Sequence, residues 1–132
     1  MASRSLDDLA PPVKHAAERF LSECGAASLD VLIYCTLRGL KEQSELYAFG
    51  RTEPGKKLTN AAPGDSLHNP DRSGKSWAFD AVPMFAGRPM WSDDFKIELM
   101  GAIGESVGLQ WAGRWRGALR EKLHFQIKRY TQ

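Results

Sequence analysis

No stretch of this sequence approaches the run of about 18 apolar residues that a membrane-spanning helix needs. Its most apolar segment, residues 26–37, is interrupted by Asp30. Cysteine is scarce: Cys24 and Cys35, with ten residues between them, are too few for a disulfide scaffold and lack partners at metal-ligand spacing. Both read as small buried apolar side chains. Charge of one sign is also lacking, since a formal net charge of +2 gives no argument for nucleic acid. The first eight residues carry Asp7 and Asp8 and lead into no apolar h-region, so they do not read as a secretory signal, and the expected compartment is a cytoplasm. Internal repeats and low-complexity segments are absent as well.

What is present is ordinary in composition. With 132 residues, 42% of them hydrophobic, the chain suits one domain, 1–132, with residues 1–11 expected to be flexible. Pro11 and Pro12 suit a helix start, and Val13, Ala16, Ala17, Phe20, Leu21 and Cys24 recur at helical spacing, with Gly25 as the expected stop. Residues 31–38 are β-branched and aromatic and read as a strand, with Tyr34, Thr36 and Arg38 on one face and Ile33, Cys35 and Leu37 on the other. A short helix is expected over 41–49, and a long polar connection over 51–76, of the length usually reserved for functional loops. A strand over 76–82 and a helix over 93–107 follow, the helix capped by Ser92 with Phe95, Leu99 and Ile103 as its stripe. Two last strands are expected at 109–111 and 123–127. Short strands among about three helices indicate an α+β domain with a short antiparallel sheet.

Three segments concentrate the unusual polar residues: 66–69, 78–81 and 121–125. His68, Asp80 and His124 supply two imidazoles and a carboxylate, a donor set that suits zinc and leaves a fourth position open. Glu121, three residues before His124, is then placed to act as general base. Residues three apart on a flat strand face opposite sides, so Glu121 and His124 converge only if the chain bends between them. Beyond that bend His124, Gln126 and Lys128 share one strand face. Simpler roles exist: Asp80 as a buried acid paired to an arginine, Glu121 paired with Arg120 or Lys122. His15 reads as exposed, on the side of its helix opposite Phe20.

The order Ser66-Leu67-His68-Asn69-Pro70, Ala78-Phe79-Asp80-Ala81-Val82 and Glu121-x-x-His124-Phe125 resembles the zinc peptidases of the D-alanyl-D-alanine carboxypeptidase and L-alanyl-D-glutamate endopeptidase group, above all small bacteriophage endolysins. Arg38 with Gln43, Leu46 and Tyr47 resembles the group's arginine-bearing strand and helix, and Trp111-Ala-Gly-Arg-Trp115 its tryptophan-glycine segment. Two departures stand out: Ala112 replaces a family glycine, and residues 71–76 lengthen the spacer between His68 and Asp80. The resemblance implies a cleft holding one zinc per chain on His68, Asp80 and His124, with Glu121 as base and Arg38 steadying the oxyanion. It implies Ser66 near metal or substrate, with a loop-capping serine as the alternative, and for Arg38 the alternative is a strand-end arginine paired to a surface acid. Asp65 reads as turn chemistry.

The expected substrate is the peptidoglycan stem peptide. The expected protein is a monomer without membrane insertion or nucleic-acid partner, released from the host cytoplasm to the periplasm and wall by a separate pore-forming protein. A carboxypeptidase using the same site, or a non-catalytic wall- or nucleic-acid-binding module, are the competing expectations. Residues 111–132 carry a local charge of +5, which suits an anionic cell envelope, while Trp111 and Trp115 read as core and cleft wall.

Overall fold

A computed structural model describes residues 2–128; Met1 and residues 129–132, including Arg129 of the basic tail, lie outside the described residues. Helix α1 runs Pro11–Ala26, strand β1 Asp30–Cys35, helix α2 Leu40–Ala48, strand β2 Ala78–Phe85, strand β3 Arg88–Pro89, helix α3 Asp94–Ser106, strand β4 Gln110–Trp111 and strand β5 His124–Gln126. The strands form one antiparallel sheet in the order β1-β2-β5-β4, with β3 folded back on β2. Ala86 and Gly87, at φ 50° and 76°, make the two-residue turn that closes the β2–β3 hairpin.

One face of the sheet carries the core. Phe79 and Phe125 stack across β2 and β5 with ring centroids 5.4 Å apart, and Phe20 of α1 meets them at 5.5 and 5.0 Å. Helix α3 lies so close to this face that its glycines become structural: a Cβ at Gly101 would strike the Trp111 ring, and one at Gly104 the Phe125 ring. The expected stripe of α3 is therefore corrected. Ile97, Met100, Gly101 and Gly104 face inward, whereas Phe95 is 80% exposed and, of the expected stripe, Ile103 packs against the core, because the approach of two large rings demands the helix face with the smallest side chains. Its cap is Asp93, accepting from the Lys96 N–H, and not Ser92.

Three further expectations change. Gly25 does not stop α1, which continues to Ala26 before Ser28 takes the left-handed conformation at φ 59°. The N-terminal arm expected to be flexible is packed in its described part: Leu9 and Ala10 are buried, and the Ser3 carbonyl accepts from the Thr36 N–H at 2.7 Å. The strand expected over 31–38 ends at Cys35, where a register shift between Ile33 and Cys35 breaks the simple alternation. No helix among the described residues is long and apolar enough to cross a membrane.

Candidate functional site

The other face of the sheet builds the site from backbone register. Cys35 is paired with Asp80 and Asp80 with His124, so three chemistry-bearing residues stand side by side across β1, β2 and β5. On β2 the period of two sends Phe79 and Ala81 into the core and Asp80 to the opposite side. His68 arrives from the long loop. Its placement is set by the Arg38 N–H donating to the His68 carbonyl at 2.8 Å and by Ser66 Oγ accepting from the His68 N–H at 3.1 Å.

His68 Nε2 and His124 Nδ1 each lie 3.2 Å from Asp80 Oδ1. The two imidazoles meet edge to face at 5.0 Å, and both are buried. His68 Nδ1 faces the Thr36 carbonyl at 2.8 Å; that oxygen can only accept, so Nδ1 carries a proton, and Nε2 is the nitrogen that meets Asp80, donating to it in the metal-free protein and open to a cation once that proton leaves. Burial pulls the His68 imidazole down, but the Asp80 charge and hydrogen bond, with Cys35, outweigh it and raise the group from 6.5 to about 10. Burial pushes the Asp80 carboxyl up, and His68 together with hydrogen bonds from both imidazoles outweighs that, holding it well below the usual carboxylate range.

The donor set fits zinc. Ligand atoms about 2.0–2.2 Å from a tetrahedral zinc stand about 3.3–3.6 Å apart, close to the separations seen from Asp80 to each imidazole. Cys35, His68 and Asp80 also have ligand atoms within 4.8 Å of one another. The thiol, however, lies 3.7 Å from His68 Nδ1, the nitrogen already bonded to Thr36, and 3.6 Å from the Arg38 guanidinium, which disfavours a cation there. His124 Nδ1 is the other donor beside Asp80 Oδ1, at 3.2 Å, although it stands outside the compact Cys35, His68 and Asp80 group.

These residues floor a cleft of about 500 Å³ that also admits Glu121, Arg38 and Ser66, with Trp115, Leu58 and Leu119 on its walls. Glu121 and His124 converge through the bend the sequence required: His124 N–H bonds back to the Glu121 carbonyl at 3.3 Å before β5 begins. The Glu121 carboxylate makes no hydrogen bond or ion pair among the described residues. Arg38 lies past the end of β1, with Nη1 donating to Gln43 Oε1 at 3.0 Å and Nη2 at 3.8 Å from Asp80 Oδ2. Asp80 is thus both a buried acid beside an arginine and the centre of the imidazole cluster. Ser66 spends its hydroxyl lone pair on the loop, and Trp111 is core while Trp115 is cleft wall, its ring 5.8 Å from His124.

Comparison with known proteins agrees with this geometry. No family model matches the chain. It is 32% identical over 118 residues to the peptidoglycan L-alanyl-D-glutamate endopeptidase CwlK of Bacillus subtilis (strain 168), a match covering 83% of this chain and 68% of that protein. The chain belongs to the D-alanyl-D-alanine carboxypeptidase and L-alanyl-D-glutamate endopeptidase group. Solved structures of similar fold include the Serratia marcescens L-Ala D-Glu endopeptidase ChiX, at TM-score 0.65 and 20% identity over 97% of this chain and 89% of that one. The LD-carboxypeptidase LdcB follows at TM-score 0.62 and 19% identity, covering 96% and 72%.

Three residues of this peptidase's site had no role assigned from sequence, although Gln43 was placed beside Arg38 and Gln126 on the strand face of His124. Cys35, assigned to the core face, is buried but turned to the site, because the register shift in β1 reverses its side. Gln43, fully buried, links Arg38 to the loop by donating to the Ala61 carbonyl at 2.7 Å. Gln126 Oε1 lies 2.8 Å from His124 Nε2. Gln126 carried a signal in its spacing of two from His124, and Gln43 in the segment that follows Arg38; the side that Cys35 faces depends on a bulge that no local pattern encodes.

Proposed function

We propose that this peptidase is a zinc-dependent peptidoglycan hydrolase of the small bacteriophage endolysin type, cutting the L-alanyl–D-glutamate bond of the stem peptide. The observation that carries the metal chemistry is the convergence of His68 Nε2 and His124 Nδ1 on Asp80 Oδ1, 3.2 Å in each case, beneath an open cleft. The similarity to CwlK supports the choice of bond. His68, Asp80 and His124 hold one zinc per chain. Bound zinc supplies Lewis acidity, polarising the scissile carbonyl and lowering the pKa of water towards neutrality.

The chain's own residues do the rest. Glu121, on the rim, takes a proton from the attacking water and delivers it to the leaving amide nitrogen as the carbon–nitrogen bond breaks, so water is added across that bond. Arg38 donates to the carbonyl oxygen as it gains negative charge; its guanidinium is preoriented by Gln43 and needs little reorganisation when that charge develops. Ser66 borders the substrate path, and Trp115, Leu58 and Leu119 offer apolar surface along it. The protein acts as a monomer, stays in the host cytoplasm, and reaches the periplasm and wall when a separate pore-forming protein opens the inner membrane.

Mass spectrometry of purified peptidoglycan after digestion, with and without a zinc chelator, tests this reading. The expected products carry new N-terminal D-glutamate on intact saccharide chains, and the chelator suppresses them. Release of terminal D-alanine alone would replace the endopeptidase with a carboxypeptidase. No cleavage by zinc-loaded protein would leave a binding module on this fold.

A further inference from the structure

The two imidazoles that face Asp80 are oriented by different means. His68 is held by the Thr36 backbone carbonyl, an acceptor that cannot reverse its role. His124 is held by a side-chain amide, whose oxygen and nitrogen occupy nearly the same outline and ask opposite things of the ring. If the amide presented its NH2 group to Nε2, the ring proton would move to Nδ1 and point at Asp80, blocking the lone pair a metal needs.

We propose that Gln110 and Gln126 form a relay that fixes His124 in the Nε2–H tautomer and so keeps its Nδ1 available as a ligand. Gln110 and Gln126 are direct cross-strand partners on β4 and β5, and Gln126 Nε2 donates to Gln110 Oε1 at 2.7 Å. With its nitrogen held there, the Gln126 amide turns its oxygen to His124 Nε2, 2.8 Å away. Only a protonated Nε2 satisfies an oxygen at that distance. With Nε2–H committed to Gln126, Nδ1 is the nitrogen left facing Asp80 Oδ1 at 3.2 Å, the place a cation would enter once Nδ1 carries no proton. Gln126 and Gln110 are positioning residues acting through His124. The relay rests on the zinc-site reading above, but its effect on the tautomer is independent of that reading.

The test uses the full chain in three variants, Gln126→Leu, Gln126→Glu and Gln110→Ala, with zinc affinity measured by competition against a chelator. The ring nitrogens of His124 are followed by NMR of nitrogen-15-labelled protein with and without zinc. Gln126→Leu should weaken zinc binding about 10- to 100-fold, the usual effect of removing a partner of a metal-bound histidine. Its metal-free His124 should change from the Nε2–H pattern to a mixture of tautomers. Gln126→Glu, which can only accept, should restore both readouts. Gln110→Ala, at an exposed position that tolerates truncation, should shift both in the same direction by less, and it keeps the test available if Gln126→Leu fails to fold. Unchanged His124 ring nitrogens in both Gln126→Leu and Gln110→Ala, or zinc affinity within about two-fold of wild type in both, overturn the relay. If wild-type protein takes up no zinc while the variants still change tautomer, the relay stands and the zinc reading fails.

Discussion

The cleft has two walls made in different ways. The sheet wall carries Asp80 and His124 on adjacent strands, held by the β2–β5 ladder and backed by the Phe20, Phe79 and Phe125 cluster. The loop wall carries Ser66 and His68 on a segment with no ladder behind it. Two isolated backbone bonds, from the Arg38 N–H to the His68 carbonyl and from the Trp77 N–H to the Leu67 carbonyl, hold it together with side chains bonded to distant backbone: Gln43 to Ala61, Asn69 Nδ2 to the Arg38 carbonyl at 3.0 Å, and Asn60 Nδ2 to the Ala118 carbonyl at 2.9 Å. A strand pair backed by apolar packing opens only with the whole domain. A loop secured by separate polar ties opens piecemeal, at the cost of each tie.

That contrast can be broken or sharpened by substitution. The largest effect is expected from Phe125→Ala, which empties the centre of the sheet wall and should cost about 3–5 kcal/mol in denaturant unfolding. A loss below about 1 kcal/mol would show that the aromatic cluster does not support the wall. Glu121→Gln, in the turn that leads into β5, should lower turnover by about 10²- to 10⁴-fold while zinc content and unfolding temperature stay unchanged. Retained activity would remove Glu121 from the role of base. Gln43→Ala leaves the Arg38 guanidinium and the Ala61 carbonyl without their partner and should cost about 1–3 kcal/mol. Hydrogen exchange should quicken over residues 59–69 and stay unchanged in β2 and β5. Exchange that rises equally in both walls would erase the distinction. Smallest is Ser66→Ala, expected to cost about 0.5–1.5 kcal/mol through the lost bond to the His68 N–H.

Acidity offers a further comparison, between metal-free and zinc-loaded protein. The folded His68 value is raised, so its contribution to metal-free stability is complete below 6.5 and disappears as pH climbs towards about 10. The folded Asp80 value is lowered, so its contribution is complete above 3.8 and is lost as pH falls through the folded value. Metal-free protein should therefore gain most from this pair between 3.8 and 6.5. Zinc must displace the His68 proton, so the rise in unfolding temperature on adding zinc should grow as pH increases above 6.5. A zinc-induced rise independent of pH would mean that His68 is not a ligand.

Much of the fold was legible from local rules. Helical spacing marked α1, β-branched and aromatic residues marked β1, and a carboxylate between Phe79 and Ala81 had to face away from the core. The bend demanded between Glu121 and His124 also followed from strand geometry. The α3 stripe was not legible, because large apolar residues lie on its outer side and the packed face is chosen by Gly101 and Gly104 through their fit to Trp111 and Phe125. The N-terminal arm looked loose in sequence, yet Ser3 secures Thr36, whose carbonyl orients His68.

By itself the sequence determined which residues have the chemistry: two imidazoles, a carboxylate, a glutamate three residues before the second imidazole, and an arginine upstream. Residue type and order decide which groups can bind a cation, accept a proton or donate to an oxyanion, and those capacities are properties of the side chains. Only the tertiary structure decided which nitrogen each histidine offers, which side Cys35 faces and which amide orients His124. Those choices rest on strand register, a bulge in β1 and a loop crossing the sheet, which join residues far apart in the chain and leave no periodic trace along it.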